Sequence, residues 1–208
     1  GAFSSCNRLN QINYNAKPLP SYAGDWDENL IFSEAGRDGS ALTVTIGNDV
    51  RRIPAYLFSD VTISTLALGP QVKEIGGYAF YGTGLTALDI PDCVETIEQM
   101  AFAQCRSLTE LSLGVGITSI GEDAFLFASP DTVTYAGNEI QWATVSVNES
   151  GNACLSDPSK IIFLGASATP GTDGSSVVMH KGSFTGQVGS PLYVWVDLTA
   201  GNGENCQV

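Results

Sequence analysis

The sequence predicts a parallel solenoid, a stack of short coils that share one continuous core. Three observations carry this. Val50-Arg-Arg-Ile53, Val72-Lys-Glu-Ile75, Val94-Glu-Thr-Ile97 and Ile117-Thr-Ser-Ile120 recur at steps of 22, 22 and 23 residues. A phenylalanine stands five residues after each isoleucine, at Phe58, Phe80, Phe102 and Phe125. Further on in each unit an alternating apolar pair reads as a short strand: Leu66 and Leu68, Leu88 and Ile90, Leu111 and Leu113, Val133 and Tyr135. A fixed period of this length marks a repeat architecture.

A unit this short cannot bury its own apolar side, so it must stack on its neighbours. Stacking brings equivalent strands side by side about 4.8 Å apart, and the isoleucine, phenylalanine and leucine columns become the core. The chain opens within a partial repeat, residues 1–14. There Ala2-Phe3, Cys6, Leu9, Ile12 and Tyr14 match Ala101-Phe102, Cys105, Leu108, Leu111 and Leu113 at a constant offset of 99. Residues 15–49 form an irregular unit in which Lys17-Pro-Leu-Pro20 and Asp25-Trp-Asp-Glu28 precede Phe32, and Leu42-Thr-Val-Thr-Ile46 resumes the strand pattern. Phe32 to Val44 takes 12 residues where Phe58 to Leu66 takes 8, so this unit is expected to bulge. The regular repeats run over 50–136. Six rungs are predicted, led by Ile12, Val44, Leu66, Leu88, Leu111 and Val133.

The last core layer of a solenoid needs a cover. Residues 137–164 are expected to supply it, with Ile140, Trp142, Val145 and Val147 as apolar donors and Trp142 as the plug. Residues 165–208 turn Gly- and Ser-rich. Ser176–Met179 and Pro191–Asp197 read there as strands, either a hairpin against the cap or the beginning of another module.

The composition fits a folded chain and narrows its partners. In 208 residues, 9 Lys plus Arg oppose 22 Asp plus Glu, a net charge of −13, which argues against a nucleic-acid backbone as partner. With 43% hydrophobic and 15% charged residues, the chain can bury a sizeable core and does not read as disordered. No apolar run approaches the roughly 18–20 residues of a membrane span, so no membrane insertion is expected. The chain opens on Gly1 with neither a basic leader nor an apolar signal segment, so any targeting segment is expected to have been removed or to lie upstream.

Leu108-Thr-Glu-Leu111-Ser-Leu113 and Leu85-Thr-Ala-Leu88-Asp-Ile90 fit the L-x-x-L-x-L core of leucine-rich repeats. The units Val72-Lys-Glu-Ile-Gly-Gly-Tyr-Ala-Phe80 and Ile117-Thr-Ser-Ile-Gly-Glu-Asp-Ala-Phe125, with Asp89-Ile-Pro-Asp92 between strands, resemble the BspA-like, or treponemal-type, bacterial leucine-rich-repeat family. The resemblance spans about residues 1–164, since Tyr135–Trp142 and Ile161–Phe163 look like that family's closing segment. It implies a leucine-rich-repeat solenoid of the α/β-type repeat class, a right-handed superhelix of mostly short parallel β-strands joined by turns and short helical or 3-10 segments. One departure stands out. The usual Asn/Cys position after the strand holds Asp49, Gln71, Cys93, Gly116 and Asn138, so no regular asparagine ladder is expected.

Catalytic constellations are sparse. Cys6 and Cys105 share a column four rungs apart, roughly 19 Å, while a disulfide tolerates under about 7 Å between Cα atoms, so both read as small core residues. Spacing assigns no pairing to Cys93, Cys154 or Cys206. A cysteine nucleophile needs a base, and the single histidine, His180, lies in the tail. No metal-ligand spacing appears, the Asp25, Asp27, Glu28 cluster reads as a solvated acidic loop, and no cofactor is expected. Gly36-Arg-Asp-Gly39 lacks the phosphate-loop lysine, and Asn148-Glu-Ser150 fits a glycosylation pattern that means little if the source is bacterial.

What remains is surface. Residues between core positions on each strand point outward. They form one polar column of Asn13, Thr45, Ala67, Asp89, Ser112 and Thr134, and another of Gln11, Thr43, Thr65, Ala87, Glu110 and Thr132. This is the expected concave, ligand-binding face, with Asn13, Thr45, Asp89, Glu110, Ser112 and Thr134 as candidate contacts. It lacks the Trp, Tyr and Arg anchors common at hot spots, so a merely solvated face is the competing reading. Tyr56, Tyr78, Tyr81 and Phe127 near the phenylalanine turns are alternative contacts. The resemblance implies a non-catalytic, extracellular or bacterial cell-surface protein of a host-associated bacterium. Its partner would be a host extracellular protein or glycan, or another bacterial surface protein. The rival reading is a structural spacer that presents another module.

Overall fold

The computed structural model describes residues 3, 6–16, 31–38 and 42–165, together with the backbone of 168–170 and 177–179. From β2 onward long and short strands alternate: β1 (Gln11–Tyr14), β2 (Leu42–Ile46), β3 (Arg52–Ile53), β4 (Ile63–Ala67), β5 (Glu74–Ile75), β6 (Ala87–Ile90) and β7 (Thr96–Ile97). They continue with β8 (Glu110–Leu113), β9 (Ser119–Ile120), β10 (Thr132–Tyr135), α1 (Glu139–Trp142), β11 (Ser146–Val147), β12 (Ile161–Phe163), β13 (Ala168–Pro170) and β14 (Val177–Met179). From β2 to β12 each coil contributes one long strand and one short one, and every pairing between coils is parallel. The fold is a leucine-rich-repeat solenoid.

The long strands form two sheets, β1-β2-β4 and β6-β8-β10-β12. Their register aligns Ile12, Val44 and Leu66 in the first, and Leu88, Leu111 and Val133 in the second, as the period predicts. A seventh rung extends the second sheet, because Ile161 pairs with Val133, so residues allotted to the cap continue the ladder. The unit 15–49 expected to bulge lies partly outside the described residues, and a β-bulge occurs in the next coil, where β4 meets β2. Leu42 opposes Ile63 and Thr43 opposes Thr65, which leaves Ser64 as the extra residue of a bulge, its Oγ donating to the Leu42 carbonyl at 3.0 Å.

The short strands form a second ladder, β3-β5-β7-β9-β11, and the phenylalanine turns a third set of links. Phe58, Phe80 and Phe102 donate their N–H to the carbonyls of Ala79, Ala101 and Ala124 in the next coil at 2.8–2.9 Å. The side chains of these turns form a spine. Phe3, Phe32, Phe58, Phe80, Phe102 and Phe125 stack with successive centroids 5.2–5.6 Å apart. Each turn bends through two left-handed residues: Tyr56 and Asp60, Tyr78 and Gly82, Met100 and Gln104, Asp123 and Phe127. Only one of the eight is glycine, so the stacked coil imposes a backbone conformation that bulky residues seldom adopt. Where coils touch closest, glycine is required for space: a Cβ on Gly69 would stand 2.4 Å from the Gly47 carbonyl oxygen.

The C-terminal end is closed as a solenoid end must be. Asn138 caps α1 with Gln141 in a reciprocal capping box. Trp142 is buried with its ring edge-on to Tyr135, the plug the sequence predicts, and Val145 and Val147 pack partly buried against the core. Ile140 does not follow the expectation. It is 62% exposed, because in a single helical turn it lies about 200° round from Trp142. Leu155 is buried instead. Asn152, fully buried, accepts from the Phe125 N–H at 3.0 Å and donates to the carbonyls of Gly121 and Asn148, replacing the missing next coil. In the tail, β14 falls on the predicted Ser176–Met179 segment and pairs antiparallel with β13. Pro191–Asp197, His180, Cys206 and the Asp25, Asp27, Glu28 cluster lie outside the described residues.

Candidate functional site

The six candidate contacts lie on the solvent side of the long strands. Asn13 sits opposite Thr45 in the first sheet, while Asp89, Ser112 and Thr134 are successive partners in the second. Glu110 occupies the neighbouring column, between Ala87 and Thr132. Asn13, Asp89 and Glu110 are exposed, and Thr45, Ser112 and Thr134 half-exposed. The structure therefore brings Asp89, Glu110, Ser112 and Thr134 onto one patch and leaves Asn13 and Thr45 in the separate N-terminal sheet. The Asp89 column continues into Ile162, which pairs with Thr134 and is 52% exposed. Sequence reading missed Ile162 because no repeat signature marks the seventh rung.

The cysteines do not assemble a nucleophile among the described residues. Cys105 is buried, 3.1 Å from the Thr83 hydroxyl and bonded to the Phe80 carbonyl, in the core position its column predicts. Cys6, in the same column at the N-terminal end, is only half-buried, because fewer coils cover it. Burial raises the Cys105 thiol and pushes the Cys154 thiol up to about 11, so neither ionises appreciably at neutral pH. No group of three or more His, Cys, Asp or Glu among the described residues could hold a metal ion, and no helix among them is long and apolar enough to cross a membrane.

A second polar surface lies over the short-strand ladder. Arg52, Glu74, Thr96, Ser119 and Ser146 are successive partners along it. Arg52 bridges two carboxyls, Glu74 and, at 3.0 Å, Glu98. Burial and the bond with Glu98 raise the Glu74 carboxyl against the pull of Arg52. Burial also works to raise Glu98, but its bonds with Glu74, the Gly77 N–H and Arg52 outweigh burial and hold it below the usual carboxylate range. Beside this trio Tyr56 and Tyr78 stack at 4.7 Å, with Tyr81 5.8 Å from Tyr78. Tyr56, Tyr78 and Glu98 border an open hollow of about 480 Å³. Phe127, the remaining aromatic alternative, is exposed elsewhere with the Arg106 guanidinium 5.4 Å above its ring. Sequence reading named the tyrosines and missed the trio. Its one visible signal was Glu98 in a column where neighbouring coils carry Gly76 and Gly121.

Stacked parallel coils with two polar solvent-facing ladders define a solenoid repeat protein, a class that ordinarily works through its surface on other proteins and not by catalysis. A model of the BspA type leucine rich repeat region matches residues 34–146 in six copies, and the chain belongs to that family. No curated protein and no solved structure matches it.

Proposed function

We propose that this chain is the non-catalytic binding module of a secreted or cell-surface protein of a host-associated bacterium. It engages a host extracellular protein or glycan, or another bacterial surface protein, in adhesion. The contacts are Asp89, Glu110, Ser112 and Thr134, extended by Asn13 and Thr45. The observation that supports this is the register of the second long-strand sheet, which groups hydroxyls and two exposed carboxylates on one accessible patch. Membership of a family built for protein interaction supports it too. In this reading residues 1–164 are the binding domain and 165–208 a separate segment.

The test is solid-phase binding to a panel of immobilised extracellular-matrix proteins. The double variant Asp89→Lys with Glu110→Lys is expected to weaken a saturable interaction by tenfold or more, or about 1.4 kcal/mol. Unchanged affinity would remove the site. A spacer role is the second reading, supported by the absence of Trp, Tyr and Arg from these columns. It predicts no saturable ligand, together with a secretion signal and an anchor or further module in the parent reading frame.

A further inference from the structure

The hollow over the short-strand ladder is constructed differently from the same place in neighbouring coils. Gly76, Glu98 and Gly121 occupy one position, each donating its N–H to the coil before it, to Ile53, Ile75 and Ile97. The two glycines have no room for a side chain, since a Cβ would stand 2.6 Å from the Ile53 carbonyl oxygen at Gly76 and 2.7 Å from the Gln99 nitrogen at Gly121. Of these three, Glu98 alone projects a functional group, with bare backbone on either side. Its carboxylate is fixed by the Gly77 N–H at 2.8 Å and by Arg52 at 3.0 Å.

One wall is aromatic. Tyr56 and Tyr78 sit at φ of 61° and 58°, a conformation that neither favours, and remain half-buried with their rings stacked. The floor adds the Thr96 and Ser119 positions. One carboxylate, held from outside the hollow by Arg52, and the Thr96 and Ser119 positions thus meet aromatic carbon, around a volume within the roughly 300–1,000 Å³ of small-molecule sites. Charge narrows the ligand. A chain at −13 disfavours an anion, and both oxygens of Glu98 already accept a hydrogen bond, one from Arg52 and one from the Gly77 N–H, which leaves weak hydroxyl donors as the fitting partners. A neutral ligand with several hydroxyls and an aliphatic face satisfies all of these groups.

We propose that this hollow binds a neutral pyranose unit of a glycan, its C–H face against the Tyr78 wall and its hydroxyls bonded to Glu98, Thr96 and Ser119. The site lies on a different ladder from Asp89 and Glu110 and does not depend on that patch.

The test is an NMR titration of the 208-residue chain, ¹⁵N-labelled, with the methyl glycosides of galactose, glucose, mannose, fucose, N-acetylglucosamine and N-acetylgalactosamine. Concentrations reach about 50 mM, since a lone sugar unit is expected to bind in the millimolar range. N-acetylneuraminic acid and arginine methyl ester serve as the anionic and cationic probes. At least one neutral glycoside is expected to give saturable shifts at the Gly77 and Gln99 amides. Tyr78→Ala and Glu98→Gln should each weaken it tenfold or more with the remaining spectrum intact, while the Asp89→Lys, Glu110→Lys double variant leaves it unchanged. Three results would overturn the proposal: no saturable shift with any neutral glycoside, stronger shifts at these amides from either charged probe, or full binding in both folded hollow variants.

Discussion

Phe102 has no solvent exposure and lies between two rings, 5.2 Å from Phe80 and 5.6 Å from Phe125. Truncation there removes the transfer free energy of the ring, leaves a cavity that coils on both sides cannot fill, and breaks two stacking contacts. Phe102→Ala is expected to lower the free energy of unfolding by about 3–5 kcal/mol in urea denaturation. Phe3 caps the same spine with one stacked partner and is 48% exposed, so Phe3→Ala should cost well under half as much. Equal losses would mean that the spine does not act as a core column. At this scale the sequence was a good guide, since each phenylalanine's burial follows from its place in the period. Ile140 was the exception, because apolar character alone did not reveal which side of a four-residue helix faces the core.

The element that carries the most chemistry is the short-strand ladder, where one guanidinium serves two carboxyls with opposite titration tendencies. Glu74, raised mainly by burial, binds its proton more tightly in the folded chain, so its contribution favours the fold below its unfolded pKa and is lost as pH rises through the higher folded value. Glu98, with its net lowering, stabilises above its unfolded pKa, and that contribution is lost as pH falls through the lower folded value. Glu98→Gln should therefore cost more stability at pH 7 than Glu74→Gln. The gap should close as denaturation is repeated at pH values falling below the ordinary glutamate value of about 4.3, as wild-type Glu98 takes up a proton. Both side chains are about a third exposed, which keeps the difference small. A gap that persists in acid would sink this assignment.

Across the whole molecule each coil contacts chiefly the coils beside it, so stability accumulates from neighbour to neighbour. Among the described residues, central rungs have cover on both sides and end rungs on one. Hydrogen exchange is expected to show the slowest amides in β6 to β9 and progressively faster ones toward β1 and β12. A uniform profile would mean that the stack opens only as one unit. Asn152 tempers the gradient at the C-terminal end, because its amide supplies the hydrogen bonds that a further coil would have made.

The period determined by itself which residues share a column, and with that the parallel coils, the phenylalanine spine, the Trp142 plug and the outward placement of Asp89, Glu110, Ser112 and Thr134. Repetition every 22 or 23 residues is a one-dimensional signal, and a stack of coils is nearly one-dimensional. Tertiary structure alone decided the seventh rung at Ile161, the division of the long-strand ladder between β4 and β6, the inward turn of Asn152 and the meeting of Arg52 with Glu98. None of these repeats. Each depends on how side chains of particular coils meet across the stack, as when Arg52 reaches a carboxylate 46 residues along the chain, and a periodic pattern carries no record of a contact made once.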